Sequence, residues 1–168
     1  LAGVEAGALA YTDNISATVV SATITVSDLD TLTDPNLDSA TVTISSGKQT
    51  GDELAFTAAG GITGVYADGS GVLTLSGSAS VATWETALRA VTYSSTSEDP
   101  TGTQEAADRV VSFVISDGDS SSTAVTRTVT VTPVNDVPVL AGVEAGALAY
   151  TENDSATGGS ATITVSDL

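Results

Sequence analysis

An all-β fold, a two-sheet antiparallel β-sandwich with one short helix, is what this sequence predicts. Three observations predict it. Apolar residues alternate with Thr and Ser at period two in several short runs. Aromatics make up only 4% of the 168 residues, and the Thr and Val that fill the runs suit a pleated, half-buried surface because branching at Cβ stiffens χ1 in extended chain. Roughly nine such runs fit within one internal period, which is the density of a two-sheet sandwich.

Taken in order, the strands are expected at 9–12, then at 22–27, where Ala22, Ile24 and Val26 alternate with Thr23, Thr25 and Ser27. The next is 40–45, with Ala40, Val42 and Ile44 on one face, followed by 53–57 and 63–66. Asp68-Gly69-Ser70-Gly71 is a hairpin signal leading into 72–76. Residues 80–90 break the pattern: Val81, Trp84, Leu88 and Val91 fall at helical spacing, with Ser80 as N-cap. Trp84, the lone aromatic of that amphipathic stretch, reads as core rather than as a ligand-stacking platform. Strands at 91–94, 110–116 and 125–131 complete the set, with Thr and Ser outward and Val and Ile inward.

Residues 1–29 recur at 140–168 with four differences: Asp13/Glu152, Ile15/Asp154, Val19/Gly158 and Val20/Gly159. Near-identity over that span predicts a tandem array, with one complete sandwich at 1–139, a linker at 134–139, and the first two strands of a second copy at 140–168. Two strands alone lack partners for their apolar faces. They are expected either to stay without fixed structure or to exchange between molecules, replacing 1–29 on another sandwich body.

Composition excludes several functions. With no His and no Cys, there is no Ser-His-Asp or Cys-His nucleophile system, no thiolate or imidazole metal site and no disulfide. Four cations face 21 carboxylates for a formal charge of −17. Such a chain repels nucleic acid and anionic membrane, and no apolar run is long enough to insert in a bilayer. Hard cations bound through oxygen are what it favours.

The carboxylates sit in turns at ligand-like spacing. Asp28 and Asp30 follow one strand, with Asp34 and Asp38 in the same loop. Asp117 and Asp119 occupy a late turn, Asp13-Asn14 follows the first strand, Glu98-Asp99 lies in the long loop before the penultimate strand, and Asn135-Asp136 precedes Pro138. Strand parity sorts them to two ends: Asp28, Asp30, Asp117 and Asp119 at one, and Asp13, Glu98, Asp99, Asn135 and Asp136 at the other. Acidic loops are often only solvated faces, but several clusters at two poles point to Ca²⁺, which takes six to eight oxygens at about 2.3–2.6 Å.

The run Asn135-Asp136-Val137-Pro138, then Glu152-Asn153, then Ser166-Asp167-Leu168 resembles the linker and opening strands of cadherin-like repeats, whose pattern is NDxP, EN and DxD. Phe113 to Gly118 and Thr128 to Asp136 resemble their closing hairpin. More narrowly, the stretch from Ala79 to Tyr93 and the long period resemble VCBS-type repeats of giant bacterial surface adhesins, including the RTX class. The resemblance covers essentially the whole chain. It implies an extracellular Ig-like sandwich, exported by type I secretion to the bacterial surface, that serves as an extender domain in cell adhesion and biofilm formation. It implies no catalysis, and neighbouring repeats of the same polypeptide as partners. Ca²⁺ at the junctions would be held by Asp28, Asp30 and Asp117 at one end and by Asp13, Asn135, Asp136 and Asp167 at the other, with Glu152 as the second copy's counterpart of Asp13. Departures are Asp13 in place of the family's Glu and the absence of a DRE-type motif, for which Glu98, Asp99, Glu105 or Asp108 would stand in. The competing readings are a glycan- or ligand-binding module, which needs an exposed aromatic platform or a polar cleft, and a two-carboxylate glycosidase.

Overall fold

A computed structural model describes residues 1–29 and 35–166. Asp30, Asp34 and Asp167 lie outside the described residues. The chain divides into two units, Leu1–Val134 and Asn135–Leu168.

The first unit is a β-sandwich, as the alternation predicts. Its strands are β1 (Leu9–Thr12), β2 (Thr18–Val19), β3 (Asn36–Ser46), β4 (Asp52–Ala55), β5 (Thr63–Ala67) and β6 (Val72–Ser80). Helix α1 (Val81–Arg89) follows, then β7 (Thr92–Ser95), β8 (Ala107–Ser116) and β9 (Val125–Thr132). One sheet runs β1-β9-β8-β3-β6-β5 and the other β2-β7-β4. The inward residues are those the period selects: Ala40, Val42 and Ile44 from β3, Leu73 and Leu75 from β6, Val111, Phe113 and Ile115 from β8, facing Leu54 of β4 and Tyr93 of β7. Full burial of each large apolar side chain contributes about 1.5–3 kcal/mol.

Helix α1 forms where expected. The Ser80 side chain accepts from the Thr83 amide, and Trp84, Ala87 and Leu88 are buried. Trp84 is fully enclosed and its indole N–H donates to the Leu37 carbonyl at 2.7 Å, so its polar atom is satisfied within the core.

Four expectations are corrected. Residues 22–27 keep the predicted burial at Ile24 and Val26 but not at Ala22, which is exposed, and they form no strand; a single bridge joins Thr25 to Ala2. Side chains take over the ladder's role. The Val26 amide donates to Glu85 at 3.1 Å, the Ile24 carbonyl accepts from Arg89 at 2.9 Å, and the Ile24 amide donates to Ser21 Oγ at 3.2 Å. The strand in this region is instead the short β2, paired with β7. Secondly, β1 joins the larger sheet parallel to β9, whereas the other ladders are antiparallel. Thirdly, Asp38 lies in β3 rather than in the preceding loop, at a bulge between Leu37 and Ser39.

The fourth correction concerns the second unit. Its strands, β10 (Val139–Ala141) and β11 (Thr164–Ser166), pair with each other, and residues 148–151 form no counterpart of β1. Glu144 staples this hairpin, accepting from the Ser160 hydroxyl and from the Ala161 and Thr162 amides. The same staple exists in the first unit, where Glu5 accepts from the Ser21 hydroxyl at 2.6 Å and the Ala22 amide at 2.9 Å. The two copies thus share local geometry but not burial: Tyr11 and Val26 are 0% and 7% exposed, whereas Tyr150 and Val165 are 61% and 72% exposed.

Candidate metal centre

The parallel β1–β9 pairing fixes the two poles of the first unit. β9 ends beside the start of β8, with Val131 opposite Ala107, and the Asp13 amide donates to the Thr132 carbonyl at 2.9 Å. Asp13 and the loop before β8 therefore share one pole. The turn between β8 and β9, with Asp117 and Asp119, belongs to the other.

At the pole of that turn, Asp117 organises the chain. Its Oδ1 accepts from the Asp119 amide at 2.9 Å and the Ser120 amide at 2.7 Å. These backbone donors, Ser120 first, hold its carboxyl below the usual carboxylate range. Gly118 permits the turn with φ of 101°, and a methyl added there would come within 2.9 Å of Asp38 Oδ2. Asp38 is thus a further carboxylate at this turn, brought there by the β3 bulge. Asp28 and Asp117 line one pocket of about 180 Å³ with Ser120 and Ser122, over an apolar floor of Val26, Leu37 and Ile115. One oxygen of Asp28, Oδ2, is buried without a hydrogen-bond partner. Asp119 is exposed.

At the opposite pole Asp13 is 2% exposed. Its Oδ1 accepts from the Asn14 amide at 2.8 Å, and Asn14 takes φ of 63°; Oδ2 is buried and unpartnered. The loop from Thr96 to Ala106 is tied to this pole by Tyr11, whose hydroxyl accepts from the Ser95 amide at 3.0 Å, and whose ring meets Tyr93 edge-on at 5.0 Å. Within the loop Asp99 Oδ1 accepts from the Gly102 amide at 2.8 Å, the Thr101 hydroxyl is buried without a partner, and Glu98 and Asp99 are exposed. Glu105 is exposed, and Asp108 accepts from the Thr130 hydroxyl at 2.7 Å.

The support under this loop is a buried ion pair that the sequence does not reveal. Arg109 Nε meets Asp52 Oδ2 at 2.6 Å and its Nη2 donates to the Pro100 carbonyl at 2.6 Å. Asp52 also accepts from the Tyr93 hydroxyl at 2.6 Å and the Gln49 amide at 2.7 Å. Burial, and then the Asp52 carboxylate, push the Tyr93 hydroxyl well above the usual phenol range. No buried side-chain oxygen or nitrogen of Asp52, Tyr93 or Arg109 is left without a partner, as befits a scaffold.

In the second unit Asn135 Nδ2 donates to the Asp136 carbonyl at 2.9 Å, Asp136 has a buried, unpartnered Oδ2, and Glu152 is exposed. Among the described residues no group of three carboxylates converges on one point. The fit to a cation rests on the orphaned atoms. All four are oxygens, three are carboxylate oxygens of Asp13, Asp28 and Asp136, and the fourth is the Thr101 hydroxyl. Buried polar atoms of this kind ordinarily have a partner, and leaving a carboxylate oxygen dry and unpaired is costly. A hard cation accepts such donors.

No protein-family model, curated protein or solved structure matches this chain.

Proposed function

We propose that this chain is a calcium-dependent cadherin-like spacer repeat of an extracellular bacterial adhesin, structural rather than catalytic. The observation that carries the reading is Asp13, a carboxylate 2% exposed whose second oxygen has no partner. Asp28 repeats the motif at the opposite pole beside Asp117. At one pole Asp13 would be a Ca²⁺ donor, with Thr101 and Asp99 carried by the loop at that pole. At the other, Asp28 and Asp117 would be the donor pair, with Asp38 at the same turn. Since no three carboxylates converge among the described residues, carbonyl and water oxygens would complete each shell. Asp136 offers the same donor type in the second unit. Bound Ca²⁺ supplies charge neutralisation: partly desolvated carboxylates repel one another by several kcal/mol, and a divalent ion converts that repulsion into a rigid joint.

Extracellular modules of this kind bind at about 10⁻⁴–10⁻³ M. At about 1 mM free calcium, one- to tenfold above Kd, each site adds about 0.4–1.4 kcal/mol to stability, or about 1–6 °C in Tm for a chain of this size. Thermal melting in millimolar calcium, in EDTA and in magnesium is the test. A Tm raised by calcium and not by magnesium supports the reading; identical melting in all three overturns it. The glycan-binding alternative lacks its platform: Trp84, Tyr11 and Tyr93 are fully buried, and the well-exposed aromatic among the described residues is Tyr150.

A further inference from the structure

The apolar pocket of about 410 Å³ between α1 and Phe56 has nothing to indicate an occupant. The arrangement that carries an inference is instead the way the first unit's two ends are tied together. β1 and β9 run parallel, with Leu9 opposite Val129 and Thr12 opposite Thr132. The chain enters β1 at its Leu9 end and leaves β9 at its Thr132 end, so the two points of attachment lie at opposite ends of one ladder. Tension between the ends of the unit therefore slides one strand along the other. All the ladder bonds are loaded together in shear, instead of opening one at a time as in a hairpin pulled from its open end.

Arg127 extends this ladder upstream. It lies on β9, two residues before Val129, and is 11% exposed. Its Nη1 donates to the Val20 carbonyl and meets Glu5 Oε2 at 3.1 Å, and its Nε donates to the Gly7 carbonyl at 3.4 Å. Glu5 in turn holds Ser21 and Ala22. A single guanidinium on β9 thereby grips residues 5–7, just ahead of β1, and residue 20 behind it. Planar forked donors of this sort do what a lysine ammonium cannot.

We infer that Arg127 and the parallel β1–β9 ladder form a tension clamp, with Arg127 as the pin that must release before force reaches β1. Residues 1–4 are held by the bridge of Ala2 to Thr25, by the Thr23 hydroxyl donating to the Gly3 carbonyl, and by the partly buried Leu1 and Val4; with no ladder beyond that one bridge, they peel first. The pin and ladder then set the barrier, while the packing of β6 against β3 and β5 is still intact. The clamp does not rest on calcium, so it is tested in EDTA, where a failure of the calcium reading leaves it untouched.

The test is single-molecule pulling at constant force on the whole chain by its two termini, alongside thermal melting of each variant. Arg127→Ala removes charge-assisted bonds of a kind whose loss accelerates barrier crossing roughly ten- to a hundredfold, and unfolding at fixed load is expected to speed up by that factor. Glu5→Gln, which leaves Arg127 in place, is expected to shift the rate in the same direction by less. Leu75→Ala in β6, at a fully buried position, should lower Tm more than either while leaving the rate under load within about threefold, because contacts intact at the barrier do not alter the crossing rate. If Leu75→Ala accelerates unfolding under load as much as Arg127→Ala does, force follows global stability and the clamp is refuted. Wild-type rates for Arg127→Ala refute it equally.

Discussion

On the proposed reading, Asp13 is the residue on which calcium binding and apo-stability pull in opposite directions. In the absence of a cation its unpartnered oxygen costs free energy; with a cation it would be a ligand. Asp13→Asn keeps the shape and the Asn14 contact but removes the charge, so it should weaken calcium binding about tenfold or more, equivalent to about 1.4 kcal/mol, while leaving the Tm in EDTA unchanged or higher. A lower Tm in EDTA with unchanged calcium affinity would contradict the assignment. Glu5 makes a separate prediction. Burial pushes its carboxyl up, but the Ser21 hydroxyl, the Glu5 and Ala22 amides and the Arg127 charge outweigh it and hold the group at about 2 against an ordinary 4.5. A depressed carboxylate stabilises fully above the unfolded value and less as pH falls toward the folded one. The stability gap between wild type and Glu5→Gln should thus be constant above about pH 5 and close between pH 4.5 and 2. Asp52→Ala strands Arg109 as a buried, unpaired charge and should cost about 3–5 kcal/mol by urea denaturation.

At the scale of elements, the period-two pattern told which side chains face inward and was silent on what the backbone bonds to. Ile24 and Val26 are buried as the alternation requires, yet Glu85 and Arg89 of α1 satisfy that backbone in place of a neighbouring strand. The helix itself was legible because its signals are local: a Ser N-cap and apolar residues three and four apart. Ser80→Ala should cost about 1 kcal/mol. Trp84→Phe, which strips the donor from the buried Leu37 carbonyl, should cost about 1–3 kcal/mol more than its volume change, read as a shifted urea midpoint with unchanged slope. The site was legible to the same degree. Turn carboxylates such as Asp28 and Asp117 stand out by spacing along the chain. Asp38 reaches the Gly118 turn only through a strand bulge, and Thr101 and the Asp52–Arg109 pair depend on which distant strands are neighbours, information that no local pattern holds.

For the molecule as a whole, the near-identical segments show what sequence alone settles and what context adds. Glu5 and Glu144 make equivalent staples in near-identical segments despite Val19-Val20 standing where the second copy has Gly158-Gly159, so that geometry is encoded within a few tens of residues. The burial of Tyr11 against the exposure of Tyr150 is not, because it requires the body of a sandwich. The charge of −17 likewise acts at this scale, favouring divalent cations over any anionic partner. Calorimetric titration of the whole chain with calcium tests the proposed role most directly. Saturable binding of calcium with Kd of about 10⁻⁴–10⁻³ M, weakened by Asp13→Asn and by Asp28→Asn separately, is the predicted result; a titration with no heat beyond dilution, in a chain whose melting EDTA leaves unchanged, would contradict it.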